Sequence, residues 1–146
     1  MSIRPARAQD VCRIAEIEIF NYRLYFYPIF KCDAFYFDEL QVTHLCDAFT
    51  PDGAYVYDDG VVKGFIRIEG SEIKKLFVEP VLHSQGIGAQ LLEFAVNTLH
   101  ADSLWALEKN ERALRFYARH GFHPTGERRL EDDTDECLIQ LRRCIR

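Results

Sequence analysis

The segment EIKKLFVEPVLHSQGIGAQLL occupies residues 72–92, and most of the predicted architecture extends outward from it. Its apolar run, residues 73–78, has the length of a buried strand, and Pro80 ends that strand because proline has no backbone N–H to donate. From Gly86 onward, apolar residues recur at helical spacing. Gly86 and Gly88 let a ligand approach the start of this helix, where free N–H groups carry a partial positive charge. The segment therefore predicts a site for a phosphate group.

Length and composition predict one compact domain, residues 1–146, with 48% hydrophobic residues available for its core. No stretch has the apolar core of a signal peptide or the length of a membrane span, so we expect a soluble, cytoplasmic protein without a membrane partner. The formal net charge of −5 argues against a general affinity for nucleic acid, which requires clustered lysine and arginine. This charge favours an amine or another cation as a partner.

The cysteines and histidines give no sign of a disulfide framework or a metal centre. Five cysteines, an odd number without a CxxC pair, are expected to be reduced and mostly buried. The five histidines are scattered without the spacing of metal ligands, so we expect no metal. The cysteines stand at positions 12, 32, 46, 137 and 144.

Hydrophobic periodicity in the rest of the chain predicts the mixed order β α α β β β α β α β β. Asp10 is the expected cap of the first helix, and Asn110 and Gly121 are the expected N-cap and C′ residues of the last. Such an order predicts an α+β or α/β sheet with helices on both faces. The predicted strands are residues 3–6, 54–57, 61–69, 72–78, 103–107, 122–127 and 136–142, and a second helix is predicted over residues 38–49.

A second motif follows the strand at 103–107 and comprises Asn110, Ala113, Phe116-Tyr117 and Gly121-Phe122. It resembles the pattern Asn-x-x-Ala-x-x-Phe-Tyr-x-x-x-Gly-Phe of the GCN5-related N-acetyltransferase (GNAT) family. The earlier segment resembles that family's signature, Gln/Arg-x-x-Gly-x-Gly/Ala, with His83 in place of the usual Gln or Arg and Ser84 in place of a common glycine. The resemblance covers about the last two thirds of the chain.

The resemblance implies a GNAT-like sheet, mixed but mostly antiparallel, that splays between strands four and five. It also implies that acetyl-CoA is the cosubstrate and that its pantetheine arm enters the gap as an added strand would. The main chain of strand four would then hold the acetyl group, and one backbone N–H would stabilise the oxyanion. The residues implied to bind the coenzyme are Leu76, Phe77, Val78, His83, Ser84, Gln85, Gly86, Ile87, Gly88, Asn110 and Tyr117.

The implied reaction is the transfer of an acetyl group to a primary amine, and two residues are implied to carry it. Tyr117 occupies the family's position for the proton donor to the departing thiolate. Glu72 is the candidate base, which is needed because an ammonium group with a pKa near 10.4 cannot attack a thioester. Glu72 precedes Gly86 by fourteen residues, the spacing of the base in the histone-acetylating branch.

Other carboxylates are weaker candidates for the base. The ribosomal-protein branch has a glutamate five residues before the asparagine, but that position is Trp105 in this chain. Glu69 and Glu108 are left as relays that would act through water.

The acceptor is less well defined by the sequence. Nine of the nineteen aromatic residues lie in residues 20–37, here called the aromatic segment, which we interpret as core, a dimer surface or the acceptor pocket. The acidic run 131–136 is typical of a solvated hairpin tip and could also attract a small cationic amine. Polyamines, amino acids, aminoglycosides and protein N-termini or lysines stay open as acceptors. By resemblance the aromatic segment borders the acceptor site, where we place some of Tyr22, Tyr25, Tyr27 and Tyr36.

Other phosphate-binding patterns fit this chain less well. A dinucleotide fingerprint needs a glycine where Leu91 stands and an immediate turn after the strand, whereas seven residues separate Val78 from Gly86. A P-loop is excluded because Gly-Lys-Ser/Thr is missing. The alternative function is a non-catalytic CoA-binding module that regulates or binds a partner, which His83 and Trp105 favour. The protein is expected to be a monomer or a homodimer.

Overall fold

The computed structural model describes residues 2–143, and a seven-stranded sheet forms its centre. Its strands are β1 Ser2–Pro5, β2 Ala54–Asp58, β3 Val62–Glu69, β4 Glu72–Val78, β5 Ser103–Leu107, β6 Phe122–Leu130 and β7 Cys137–Arg143. They lie in the order β1-β2-β3-β4-β5-β7-β6, and every neighbouring pair is antiparallel except β4 and β5. The predicted mixed, mostly antiparallel sheet is confirmed.

Within this range five α-helices accompany the sheet: α1 Val11–Asn21, α2 Tyr27–Phe30, α3 Val42–Ala48, α4 Ile87–Leu99 and α5 Glu111–Arg119. On one face of the sheet, α1 buries Ile14 and Ile17 against Phe65. On the other face, α4 buries Leu91 against Leu104. The prediction of helices on both faces is therefore confirmed. Among the described residues, none of the helices has the combined length and hydropathy of a bilayer-spanning segment.

The strands β4 and β5 separate shortly after they begin. They pair only through Glu72 with Ser103 and through Ile73 with Leu104. Beyond that point β4 continues to pair with β3 as far as Val78, whereas β5 pairs with β7 along its whole length. A gap therefore opens between the C-terminal halves of β4 and β5, and the predicted splay is confirmed.

A β-bulge in β4 decides which of its side chains face each helix layer. Arg67 of β3 lies opposite Lys75, but the next residue of β3 lies opposite Ile73, so Lys74 is the extra residue. Ile73 and Val78 are five positions apart and would face opposite sides of a regular strand. With the bulge between them, both pack in the core cluster on the α4 face.

The aromatic segment is helical, although the sequence predicted an irregular stretch. The chain runs from α1 through a π-helical turn, Tyr22–Phe26, directly into α2, and a second π-helical stretch, Ala34–Glu39, precedes α3. In the first of these turns the N–H of Tyr27 donates to the carbonyl of Tyr22, five residues back. Pro28 accounts for the wider turn, because its ring would clash with the carbonyl four residues back in a regular helix. The helix predicted over 38–49 is shortened accordingly to α3.

Asp10 precedes α1, but its carboxylate does not cap that helix as predicted. Its Oδ2 accepts the N–H of Arg7 at 2.8 Å, and both carboxylate oxygens accept the guanidinium of Arg4 at 2.8 and 3.0 Å. Asp10 is buried, so these bonds satisfy a carboxylate that would otherwise destabilise the fold. The ion pair of Arg4 with Asp10 joins β1 to the start of α1.

The expectation that the cysteines are mostly buried is wrong for the described residues. Cys12 and Cys32 are exposed, and Cys46 and Cys137 are half-buried. All four are free in the structure, and their reduced state stays a prediction. Cys144 lies outside the described residues.

Candidate active site

A cavity lies at the gap between β4 and β5. Its volume of about 540 Å³ is typical of small-molecule sites. Its walls are the end of β4, the loop that follows, the first turn of α4, one face of α5, and the end of α1 with the π-helical turn after it. Gln85 and Glu72 are absent from this lining. The predicted site residues that do line it are Leu76, Phe77, Val78, His83, Ser84, Gly86, Ile87, Gly88, Asn110 and Tyr117.

The main chain of β4 offers two residues to the gap rather than the expected three. The N–H of Glu79 donates to the carbonyl of Lys63 beside β3, and backbone groups along a strand point alternately to its two neighbours. The backbone of Phe77 therefore also faces β3, and the expectation that it holds the acetyl group is corrected. The backbone groups of Leu76 and Val78 face the gap.

The start of α4 has the form of an anion site. Gly86 precedes the helix with a φ of +83°, a left-handed value that glycine adopts without strain. No side chain caps the first turn, so its N–H groups are available to a ligand. Ser84 also has a left-handed φ, +69°, which costs a residue with a side chain about 1–2 kcal/mol. The family pattern commonly has a glycine at the position of Ser84. The left-handed φ explains this preference, because glycine adopts such a backbone without strain.

Helix α5 places positive charge along the cavity. Arg112, Arg115 and Arg119 all line it, and their spacing of three and four residues puts them on one face of the helix. The lining formed by the described residues contains no carboxylate. The cavity therefore suits a ligand that carries phosphate groups. Sequence reasoning missed these arginines, although their helical spacing was available as a signal.

His83 joins three segments at the cavity. Its Nε2 lies 2.9 Å from the carbonyl oxygen of Val78, and its Nδ1 lies 3.0 Å from the hydroxyl of Tyr25 and also contacts the guanidinium of Arg112. A carbonyl accepts and a guanidinium donates, so this imidazole is neutral with its proton on Nε2. Burial lowers the pKa of His83, followed by smaller effects that include the charge of Arg112. The neutral form is therefore the stable one here.

The carbonyl of Val78 has a second donor, which sequence reasoning missed. The side-chain amide of Asn21, at the end of α1, donates to it at 2.9 Å and to the carbonyl of Ile17 at 2.8 Å. Asn21 is buried and lines the cavity. Because protein groups already satisfy the carbonyl of Val78, its N–H is the group left for a ligand in the gap.

Helix α5 also positions the two polar residues of the second motif. The side-chain oxygen of Asn110 accepts the N–H of Ala113 at 3.3 Å, which confirms its predicted role as N-cap. Two turns later Tyr117 lies in the cavity wall, between the rings of Phe116 and Phe122. Desolvation by these neighbours raises the pKa of Tyr117 well above 10. The phenol is therefore protonated at neutral pH and can donate a proton.

The carboxylates named from the sequence lie outside the cavity. Glu72 stands at the closed end of the β4–β5 pair and forms an ion pair with Lys74 at 2.9 Å. Glu69 is largely exposed. Glu108 binds Arg128 through both carboxylate oxygens, at 2.7 and 3.1 Å, and this contact lowers its pKa. The assignment of Glu72 as the base stays a prediction.

A buried carboxylate that the sequence did not reveal lies on the α1 face of the sheet. Glu18 is only 3% exposed, and its Oε1 lies 2.7 Å from Nζ of Lys75 in an ion pair without a well-aligned hydrogen bond. Tyr22 follows Glu18 by one helical turn and packs edge-on against Phe77 at 5.4 Å. Burial and then the charge of Glu18 raise the pKa of Tyr22. Glu18 therefore lies beside β4 on the α1 face, outside the cavity lining.

The tyrosines of the aromatic segment divide into two groups. Tyr25 lines the cavity, and Tyr22 packs behind the cavity wall on Phe77. Tyr27 and Tyr36 instead contact each other, 5.8 Å apart, in a cluster around Ile19 against which Tyr22 also packs. These two support the wall from outside and do not line it. Within residues 2–143, no group of three or more His, Cys, Asp or Glu side chains is placed to hold a metal ion.

The curated sequences that resemble this chain include two peptidyl-lysine N-acetyltransferases. Peptidyl-lysine N-acetyltransferase YjaB of Salmonella typhimurium is 32% identical over 77 residues, which is 53% of each chain. Peptidyl-lysine N-acetyltransferase YiaC of Escherichia coli is 34% identical over 67 residues, which is 45% of this chain and 46% of that protein. The chain thus spans about half the length of the curated relatives it matches.

Solved structures resemble the whole fold. The solution structure of apo-form YjaB from Escherichia coli has a TM-score of 0.73 at 26% identity and covers 97% of this chain and 95% of its own. The PaiA N-acetyltransferase of Thermoplasma acidophilum, crystallised in complex with coenzyme A, has a TM-score of 0.68 at 16% identity and covers 97% and 98%. The model of the acetyltransferase (GNAT) domain matches residues 51–124, half of the chain. The chain therefore belongs to the GNAT family of acetyltransferases.

Proposed function

We propose that this protein is an N-acetyltransferase that moves an acetyl group from acetyl-CoA to a primary amine. The observation that carries the proposal is the gap between β4 and β5, which joins free backbone groups, an uncapped helix start and Tyr117 in one cavity. Acetyl-CoA matches this arrangement, because it has a diphosphate, an extended amide-bearing arm and a thioester. The proposed activity agrees with family membership and with the names of the relatives.

The coenzyme would bind through three features of the chain. The N–H groups at the start of α4 would hold the diphosphate, and Arg115 and Arg119 would add charge beside it. The N–H of Val78 would pair with the pantetheine arm as in an added strand. Leu76, two residues nearer the closed end, would direct its N–H at the thioester oxygen and stabilise the oxyanion there.

The reaction requires one proton to leave the amine and one to reach the sulfur. The neutral amine attacks the thioester carbon, the C–S bond breaks, and the departing thiolate takes a proton. Tyr117 is proposed as the donor of that proton, since it lines the cavity and keeps its proton at neutral pH.

Two carboxylates are proposed for the proton that the amine loses. Glu72 is the proposal from sequence spacing, although it lies at the closed end of the strand pair and is bound to Lys74. Glu18 is the proposal from geometry, because it is buried beside β4 on the face opposite α4. Neither carboxylate lines the cavity, and we favour Glu18 because its buried Oε1 has no well-aligned hydrogen bond and is left to accept a proton.

The proposed acceptor class is a primary amine that is cationic in solution. The relatives are named for peptidyl lysine, which supports a lysine side chain as the first acceptor to test. Negative charge near Tyr22 supports a cationic acceptor. Burial is the main cause of the raised pKa of Tyr22, and the charges of Glu18 and Glu131 raise that pKa further. Glu131 belongs to the acidic run 131–136. Small cationic amines are the second class of acceptor to test. The proposal also includes a cytoplasmic location.

Turnover separates this proposal from a non-catalytic coenzyme-binding module. Purified protein with acetyl-CoA is incubated with lysine-containing peptides and with polyamines, and the release of free thiol is measured. Thiol release that depends on the amine and is lost in Tyr117→Phe supports the enzyme. Coenzyme binding without turnover across both acceptor panels supports the module instead.

A further inference from the structure

Two cysteines that are distant in sequence lie in contact on the outer side of α1. The Sγ atoms of Cys12, in the first turn of α1, and Cys46, in α3, are 2.7 Å apart. Cys12 is exposed and Cys46 is half-buried, so small oxidants can reach the pair. The contact belongs to the packing of α3 on α1.

We propose that Cys12 and Cys46 form a redox-sensitive pair that closes into an intramolecular disulfide. A disulfide has an S–S length of about 2.05 Å, so closure needs the two sulfurs to approach by about 0.7 Å more. Each cysteine lies on a helix that is already packed against the other helix. Closure therefore requires little rearrangement of the backbone.

The chemistry is a thiol–disulfide exchange with a small disulfide such as oxidised glutathione. The Cys12 thiolate attacks one sulfur of glutathione disulfide, and one reduced glutathione leaves with the electron pair. Cys46 then loses its proton and attacks the Cys12 sulfur of the mixed disulfide, which releases the second glutathione. The two cysteines lose two electrons and two protons, and the oxidant gains them.

The order of attack follows from the hydrogen bond between the two thiols. Cys46 donates its S–H to Cys12, and this bond, with a contribution from desolvation, raises the pKa of Cys46 to about 11. Cys46 therefore holds its proton in the reduced state, and Cys12 is the sulfur that reacts first. The greater exposure of Cys12 points the same way.

The bond would close a loop that contains the whole aromatic segment. Residues 12–46 include Tyr25 and Phe26, which line the cavity, and the outer cluster of Ile19 and Tyr36 that supports it. Leu45, the neighbour of Cys46, packs in that same cluster. Oxidation would therefore restrict the motion of the acceptor-side wall. An effect on acceptor use rests on the proposed function, whereas the disulfide itself does not.

The test uses the full-length protein equilibrated in glutathione buffers of increasing oxidised fraction. We expect intact mass to fall by two hydrogens, and peptide mapping to join the peptides of Cys12 and Cys46. Cys12→Ser and Cys46→Ser should each abolish this crosslink. Cys32→Ser is the matched control, since Cys32 is also exposed and lies on the same loop, and it should leave the crosslink intact.

A second readout measures the effect on the wall without any activity assay. Amide hydrogen exchange over residues 22–48 should slow on oxidation of the native protein and of Cys32→Ser, and should not change in Cys12→Ser. The proposal is overturned if oxidation gives only glutathione adducts, or if the mapped bond joins other cysteines. If the bond forms but exchange over 22–48 is unchanged, the inferred restriction of the wall is overturned.

Discussion

The imidazole Nε2 of His83 donates to the carbonyl oxygen of Val78 at 2.9 Å, and this bond fixes the loop between β4 and α4 to the strand that it leaves. The loop carries the N–H groups of the proposed phosphate site, so its position decides where the coenzyme would bind. A glutamine, the residue usual in the family, can also donate an N–H to a carbonyl. The departure from the family pattern at His83 therefore keeps the donor and adds a group that can titrate.

Protonation of His83 should disrupt its contact with Arg112, because Nδ1 would then carry a proton and could no longer accept the guanidinium N–H. The pKa of His83 is lowered below its usual 6.5, chiefly by burial, so the folded state disfavours the charged form. The resulting contribution to stability is fully present above pH 6.5 and falls as pH drops toward the folded pKa. We expect the free energy of unfolding to decline across this range in the native protein and to be flatter in His83→Gln. Urea denaturation at several pH values measures it, and parallel pH profiles would contradict the assignment.

The left-handed residues of the loop should respond oppositely to substitution. Gly86→Ala places a side chain at φ +83°, and we expect a loss of about 1–2 kcal/mol in unfolding free energy. Ser84→Gly removes strain of similar size but adds freedom to the unfolded chain worth about 0.4–1 kcal/mol, so stability should change little or rise slightly. Equilibrium unfolding in urea compares the two. Equal losses in both variants would show that backbone strain is not the cause.

Arg115 should contribute to coenzyme affinity through charge. We expect Arg115→Gln to weaken binding of coenzyme A by about two- to fivefold, the range of a partly exposed ion pair, and to reduce the salt dependence of binding. Arg142, which is exposed on β7, is the matched control. Isothermal titration at two salt concentrations makes the measurement. An equal effect of Arg142→Gln would indicate a general field of the protein instead of a local contact.

Tyr117→Phe should lower kcat about a hundredfold, as expected when a general acid is removed, with little change in coenzyme affinity. Because the pKa of Tyr117 is raised above 10, the native enzyme should keep this proton donor as pH rises from 7 to 10. Rate–pH profiles of the native protein and the variant check both points. An unchanged rate in Tyr117→Phe would remove this residue from the mechanism.

The base can be assigned by comparing two isosteric variants. We expect Glu18→Gln to lower kcat/KM for a lysine peptide by at least about tenfold, because the buried Oε1 of Glu18 is the proposed proton acceptor. Glu72→Gln should have a smaller effect, since Glu72 lies at the closed end of the β4–β5 pair and is more exposed than Glu18. Coenzyme affinity of both variants serves as the control for folding. A larger loss in Glu72→Gln would restore the assignment made from sequence spacing.

The sequence predicted well those features that short segments encode. Within residues 72–92, an apolar run specifies the strand, Pro80 ends it, and Gly86 marks the start of the helix. These signals are local, so the sequence placed β4 and the start of α4 correctly. The N-cap of α5 by Asn110 was found for the same reason. The left-handed backbone at Ser84, where the family pattern commonly has glycine, is a local feature of the same kind.

Features that depend on tertiary packing were not accessible from the sequence. Glu18 reads as one polar residue among apolar ones on α1, and only the fold shows that it is buried against Lys75. The contact of Cys12 with Cys46 spans 34 residues and has no sequence signal. The π-helical path around Pro28 also could not be read from periodicity, because a wide turn shifts the helical spacing.

Titration of the protein with acetyl-CoA, followed by backbone amide NMR, tests the central claim most directly. The account predicts saturable shifts in the amides of Leu76 and Val78 and of the first turn of α4, Ile87 to Ala89, with smaller changes at Phe77. Shifts that are absent at millimolar coenzyme, or that saturate elsewhere on the protein, would contradict it.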